Sequence, residues 1–177
     1  MTMGPGLRKL ALLVHVVSSV GWLGAVASSL ALAIAGLVSD DLPTVRGAYL
    51  NLELLGWYVL VPLSFASLLT GLASSLGTSW GLFRHYWVAA KLVINGFATT
   101  VLLMYMQSLD HLADLAAQAS VTAELRTLRD PSPLIHAGAA LALLLVASVL
   151  AVYKPRGLTP YGWRKQQERR GALAPQA

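Results

Sequence analysis

Among the four histidines of this chain, His15 has the surroundings that most invite chemistry. It sits in a stretch, residues 10 to 38, that holds no Asp, Glu, Lys or Arg. In such apolar segments an ionisable side chain is costly and usually faces a bundle interior. A neutral imidazole there can ligate haem iron axially or coordinate a metal ion. The plainer alternative is a hydrogen bond to a serine or backbone carbonyl of a neighbouring helix. Lys91 interrupts a second apolar stretch, and its ammonium either joins such a site or reaches the headgroups along its stem. Seven residues separate Arg8 from His15 and Arg84 from Lys91, in each case about 10 Å of helix. The two groups can therefore meet at one depth. Ser18 or Ser19 and Asn95 come one turn deeper, and Trp22 reads as packing or as a wall of a cofactor pocket.

A second, weaker set lies toward the other ends of the apolar stretches. Glu53 and His136 each fall about a turn inside, and His111 stands near an exit. They form either a metal set or a structural boundary pair with an interfacial histidine. Met104 and Met106 lie nearby and read as core or lipid-facing. There is no cysteine, which removes thiolate metal sites, iron-sulfur clusters and cysteine nucleophiles. No Gly-x-x-x-x-Gly-Lys phosphate loop occurs.

The elements that must position these groups follow from composition. Of the 177 residues 56% are apolar and only 12% charged, about half the charge of an ordinary soluble domain. Uncharged runs cover 10 to 38, 54 to 83, 92 to 109 and 131 to 153, and about 20 mainly apolar residues cross a bilayer. The expected fold is all-α: a four-helix transmembrane bundle with spans near 9–36, 49–75, 85–109 and 133–153. Residues 1–153 then form one transmembrane domain and 154–177 a basic cytoplasmic tail. The first span is longer than the apolar core of a signal peptide, about 7 to 15 residues, so it is expected to be retained.

Placing the N-terminus in the cytoplasm puts ten of the 13 Lys and Arg residues at the inner side and leaves Arg46, Arg126 and Arg129 outside. This obeys the positive-inside rule and predicts both termini inside the cytoplasmic membrane. The net charge of +5 is thus a topology signal, with the lipid bilayer as partner and no nucleic acid. The tail, with Tyr161, Trp163, Arg164 and Lys165, is expected to anchor on the inner surface and then to be disordered. The outer segment from Asp110 to Pro133 is amphipathic, extending the third span and adding a short surface helix. On the second span Glu53, Trp57, Leu60, Ser64, Ser67, Gly71 and Ser74 alternate in steps of four and three, a heptad seam for helix packing. Pro62 is expected to bend this span.

Two segments carry a family likeness: His15-Val-Val-Ser-Ser-Val-Gly-Trp22-Leu-Gly24 and His85-Tyr86-Trp87-Val-Ala-Ala-Lys91-Leu92. With Trp57-Tyr58 and the aromatic link Gly77 to Trp87, the chain resembles, over about residues 10 to 153, a group of four-helix bacterial integral membrane proteins of unknown function. That group is similar to the CopD-type copper-resistance and HemJ-type membrane families. The HemJ-type proteins are haem-b-binding protoporphyrinogen oxidases, and the resemblance would place their essential histidine at His15 and essential lysine at Lys91. Their pattern continues with an Arg and a further His, where this chain has only small or apolar residues from Ala25 to Leu32. The resemblance implies a haem b site at His15 and Lys91, with Asn95 and Trp22 beside it. If the chain is an enzyme, it would be a haem-dependent membrane oxidoreductase. The alternatives are copper handling or small-solute transport through His111, His136 and Glu53, and a structural or assembly subunit paired with a membrane-protein partner or with its own copies.

Overall fold

Pro5 opens the first helix, where its missing N–H has no helical acceptor to lose, and α1 then runs unbroken over Pro5–Val38. The computed structural model describes residues 4–77, 82–119, 128–155 and 157–173. After a short link, the Asp41 carboxylate accepts the Thr44 N–H at 3.0 Å and caps α2, Leu42–Leu55, with Pro43 in its first turn. A π turn, Gly56–Leu60, follows, and α3 continues as Val61–Leu76. Then come α4, Tyr86–Gln118, α5, Ser132–Tyr153, and α6, Pro160–Leu173. No strand occurs among the described residues; His85 and Leu158 form one isolated bridge.

Four helical stretches are long and apolar enough to cross a bilayer: α1, Leu42–Leu76 as one, α4 and α5. The protein is a multi-pass membrane protein with an all-α four-helix bundle. Arg8, Arg84, Lys91 and Lys154 mark its basic end, and Asp40, Asp110 and Asp130 its acidic end.

The shortest spanning helix sets the scale. The 22 residues of α5 cover about 33 Å, close to the hydrocarbon thickness of roughly 30 Å. Its first turn meets α4 at Tyr105, whose ring stacks on His136 with centroids 3.8 Å apart. The residues of α4 from Met106 to Gln118 therefore project beyond α5 at the acidic end. There Val45, Tyr49 and Leu52 of α2 pack with Met106, Leu109, Leu112 and Ala116 of α4 and with Leu128. Outside the bilayer this burial is driven by water, at about 1.5–3 kcal/mol for each large side chain. Within lipid, apolar burial contributes little and close packing must hold the bundle. There Trp22, Ala25, Val26, Leu60, Ala98 and Leu144 make a second cluster. Arg46 clamps the projecting part, donating from Nε to the Ala116 carbonyl at 3.0 Å and from Nη2 to that of Ala119. A cation at these carbonyls also complements the helix C-terminus.

Several sequence expectations shift. The second span starts at Leu42 rather than 49 because the Asp41 cap and Pro43 begin the helix earlier. Glu53 is consequently three turns into the helix instead of one. The third span extends beyond 109, as expected of the amphipathic outer segment: Asp110, His111 and Asp114 ride on a helix that continues to Gln118 because its opposite face packs on α2. Pro62 is preceded by the π turn, in which Val61 N–H donates to the Gly56 carbonyl. That wider turn relieves the clash and missing donor a proline brings to an α-helix. Its extra residue also breaks the heptad seam. Leu60, Ser64 and Ser67 are buried as expected, but Trp57 is turned outward and donates from Nε1 to Asp110 Oδ1 at 2.8 Å. The tail beyond Lys154 forms a helix where disorder was expected. Thr159 donates its N–H to the Arg84 carbonyl at 3.0 Å and its hydroxyl to the Phe83 carbonyl, while its Oγ1 accepts the Gly162 N–H at 3.1 Å. The segment is thus pinned to the link before α4. Residues 120–127, which hold the expected interruption and most of the short surface helix expected after it, and residues 78–81 of the aromatic link lie outside the described residues.

Candidate functional site

Each spanning helix sends one row of side chains toward the same place at the basic end. On α1 the row is Arg8, Leu12, His15, Ser19 and Trp22, spaced 4, 3, 4, 3; on α3 it is Ser67, Gly71 and Ser74; on α4 Trp87, Lys91 and Asn95; on α5 Leu144, Ala147, Ala151 and Lys154. These rows follow the two-turn helical repeat, so each forms a continuous stripe. They enclose a cavity of about 760 Å³, within the roughly 300–1,000 Å³ of pockets that hold cofactor-sized ligands. His15, Lys91, Asn95 and Trp22 all line it.

The imidazole is held by α3. His15 Nδ1 lies 3.1 Å from the Ser67 carbonyl oxygen and 3.2 Å from Thr70 Oγ1. A carbonyl only accepts, so Nδ1 carries the proton and donates it, and in the neutral ring Nε2 keeps its lone pair. Nε2 has no hydrogen-bond partner in the protein among the described residues. The neighbouring-helix hydrogen bond weighed from the sequence is thus present, and it uses only one ring nitrogen. Gly71 makes room for the ring, since a Cβ there would stand 3.1 Å from His15 Cε1. Beneath the ring, Ser19 and Ser67 hydroxyls pair at 2.8 Å.

Opposite, Lys91 Nζ lies 5.8 Å from the centre of the Trp87 ring, within reach of a cation–π contact. Arg8, Lys91 and Lys154 give the cavity three cationic side chains, and no Asp or Glu lines it. Ser74 Oγ and Asn95 Oδ1, both on lining residues, are buried without a hydrogen-bond partner among the described residues. Thr99 Oγ1, which does not line the cavity, is buried in the same way.

The acidic-end candidates are not gathered. His136 is turned onto Tyr105 and places Nδ1 2.9 Å from the Ser132 carbonyl, whereas His111 is exposed on the projecting part of α4. Glu53 is half-buried on α2. Among the described residues no three His, Asp or Glu side chains group so as to hold a metal ion. Met106 is fully buried against α2, while Met104 is exposed. Gly77 to Gly81 spells Gly-x-Ser-x-Gly, but Ser79 lies outside the described residues.

Arg8, Lys154, Thr70 and the Ser67 carbonyl were not singled out from the sequence. The 4, 3, 4, 3 row from Arg8 to Trp22 was available as a signal for Arg8. A backbone carbonyl has no signature in sequence. Compared with protein-family models, curated proteins and solved structures, the chain matches none of them.

Proposed function

We propose that this protein binds haem b within the cytoplasmic membrane, and that His15 Nε2 would hold its iron. The observation that carries this reading is the hold on the imidazole: Nδ1 lies 3.1 Å from the Ser67 carbonyl, which can only accept, so the proton is placed on Nδ1 and Nε2 is left bare. Histidines that ligate metals almost always hold their other ring N–H in this way. The remaining lining fits the same group. Trp22, Leu23, Leu92, Leu144 and Ala147 offer apolar walls, and Arg8, Lys91 and Lys154 offer cations to carboxylates. Gly71 leaves a space beside the imidazole that any side chain would fill. When bound, haem would supply one-electron redox chemistry. The chain's own part is to hold the imidazole, orient the carboxylates and exclude water. With ten of the 13 basic residues on one side, the positive-inside rule turns the cavity end and both termini to the cytoplasm.

The test is direct. Protein purified in detergent from haem-supplied cells should show a Soret band, and His15→Ala should abolish it while the variant remains folded and monodisperse. Colourless wild-type protein from such cells refutes the proposal.

A further inference from the structure

The last helix, α6, takes no part in the core: none of its residues belongs to either buried cluster. It is nonetheless held at a fixed height. Thr159 ties its start to the Phe83 and Arg84 carbonyls, and the buried Gly162 approaches so closely that a Cβ there would overlap the Arg84 carbonyl oxygen. His85 bridges to Leu158 beside them. Arg84 stands just before α4, which opens at Tyr86, so α6 begins where the membrane-spanning stretch ends. The aromatic side chains around this junction agree. Phe83, Tyr86, Tyr153, Tyr161 and Trp163 are all more than half exposed, and Tyr and Trp at the ends of spans settle in the headgroup layer. The helix therefore leaves the bundle within that layer.

Beyond Trp163 the helix has no apolar side chain before Ala172, so it cannot sink an apolar face into hydrocarbon as amphipathic surface helices do. What it carries is charge. Arg164, Lys165, Arg169 and Arg170 stand against the single carboxylate of Glu168, which Lys165 meets at 2.7 Å. Arg164 is exposed and has no acidic partner among the described residues. The complement of surplus positive charge held at headgroup height is a layer of fixed negative charge. We infer that α6 is a binding surface for anionic phospholipid headgroups in the leaflet at the basic end, and that the contact is electrostatic rather than inserted. The pin at Thr159 and Gly162 favours it, because a surface tethered beside its target meets it at high effective concentration. No residue of α6 lines the cavity, so the inference stands apart from the haem reading.

Because the chain has no cysteine, Gln167→Cys, at an exposed position of α6, takes a single NBD label whose emission rises on entering the headgroups. The whole chain is placed in nanodiscs of phosphatidylcholine alone, or of equal parts phosphatidylcholine and phosphatidylglycerol. The ratio of lipid-bound to free label should be at least about fivefold higher in the anionic discs, since each basic residue near such a surface contributes about that much. Salt at about 1 M, where the Debye length falls to about 3 Å, should remove the gain. Arg164→Gln, Arg169→Gln and Arg170→Gln together should remove it as well, while the spans unfold as in the wild type. A label on Gln166→Cys, also exposed, should report the same pattern. Equal emission in the two lipids overturns the inference. So does a gain that survives high salt, which would mean insertion. A gain that needs a second copy of the chain in the disc and not phosphatidylglycerol also overturns it, and would make α6 a contact between copies.

Discussion

Gly71→Ala separates the hold on His15 from the stability of the bundle. A methyl group at this position would stand 3.1 Å from His15 Cε1, 3.5 Å from Nδ1 and 3.9 Å from Nε2. Carbon atoms prefer about 3.5–4.0 Å, so the ring must retreat by roughly half an ångström. The bond from Nδ1 to the Ser67 carbonyl starts at 3.1 Å, and that retreat carries it past about 3.5 Å, where a hydrogen bond is no longer made. Losing one such bond costs about 1 kcal/mol, equivalent to about fivefold in the affinity of a ligand on Nε2. Against this, alanine is favoured over glycine inside a helix by about 1 kcal/mol. The variant should therefore unfold no earlier than the wild type yet bind haem about fivefold more weakly. Gly96→Ala is the control, because a Cβ there meets nothing within 4 Å; it should gain helix stability and leave haem affinity unchanged. Absorption titration with haem and thermal unfolding followed by circular dichroism read the two quantities. Wild-type affinity in Gly71→Ala, or equal weakening in Gly96→Ala, would refute the argument that α3 positions the imidazole.

Other outcomes test the frame around the site. Gly56→Ala would place a methyl 2.7 Å from Met106 Cε and 2.8 Å from Sδ; Met106 is fully buried, so overpacking of about 1–3 kcal/mol, less about 1 kcal/mol of helix gain, should leave the protein destabilised by up to about 2 kcal/mol. Combined with Met106→Val, the loss measured by chemical unfolding should be less than the sum of the two single losses. Gly162→Ala sets a Cβ against the Arg84 carbonyl oxygen, which is backbone and cannot yield. It should release α6, seen as faster proteolysis after Arg164 and Lys165, with unfolding of the spans unchanged within about 0.5 kcal/mol. Reporter fusions after Asp40, Gly77, Gln118 and Gln166 should read outside, inside, outside and inside; the reverse order would overturn the cytoplasmic placement of the cavity.

The four spans were legible because a bilayer imposes long uncharged runs, and no other environment does so at this length. Their ends were legible in part: the amphipathic run after Asp110 pointed to the continuation of α4, whereas the early start of α2 at its Asp41 cap was missed. Asp110 and Asp114 mark an exit from hydrocarbon, but a helix need not stop where the membrane does. Leu109, Leu112 and Ala116 had α2 to pack on in water, so α4 continued. Trp57 misled for another reason: its heptad spacing holds only for an unbroken α-helix, and the π turn before Pro62 rotates everything upstream of it. Counting 1.5 Å per residue from Arg8 and Arg84 set His15 and Lys91 at one height, and straight helices place both on the same cavity. Pro160 occupies the first turn of α6, where proline is tolerated. What escaped was whatever depends on backbone partners: the Ser67 carbonyl that orients His15, and the Phe83 and Arg84 carbonyls that hold Thr159.

The π turn makes the long second crossing two segments clocked differently about one axis. Five residues of this turn advance the chain about as far around as four residues of regular α winding, so winding the same stretch as ordinary α-helix without shortening it would swing the part beyond it by about 100° relative to α2. The side of α3 bearing Ser67, Thr70 and Gly71 would then point away from α1, and His15 would lose both its tether and its recess. The widened turn near the acidic boundary is therefore what lets the water-packed half and the ligand-facing half of this crossing each meet their own neighbours.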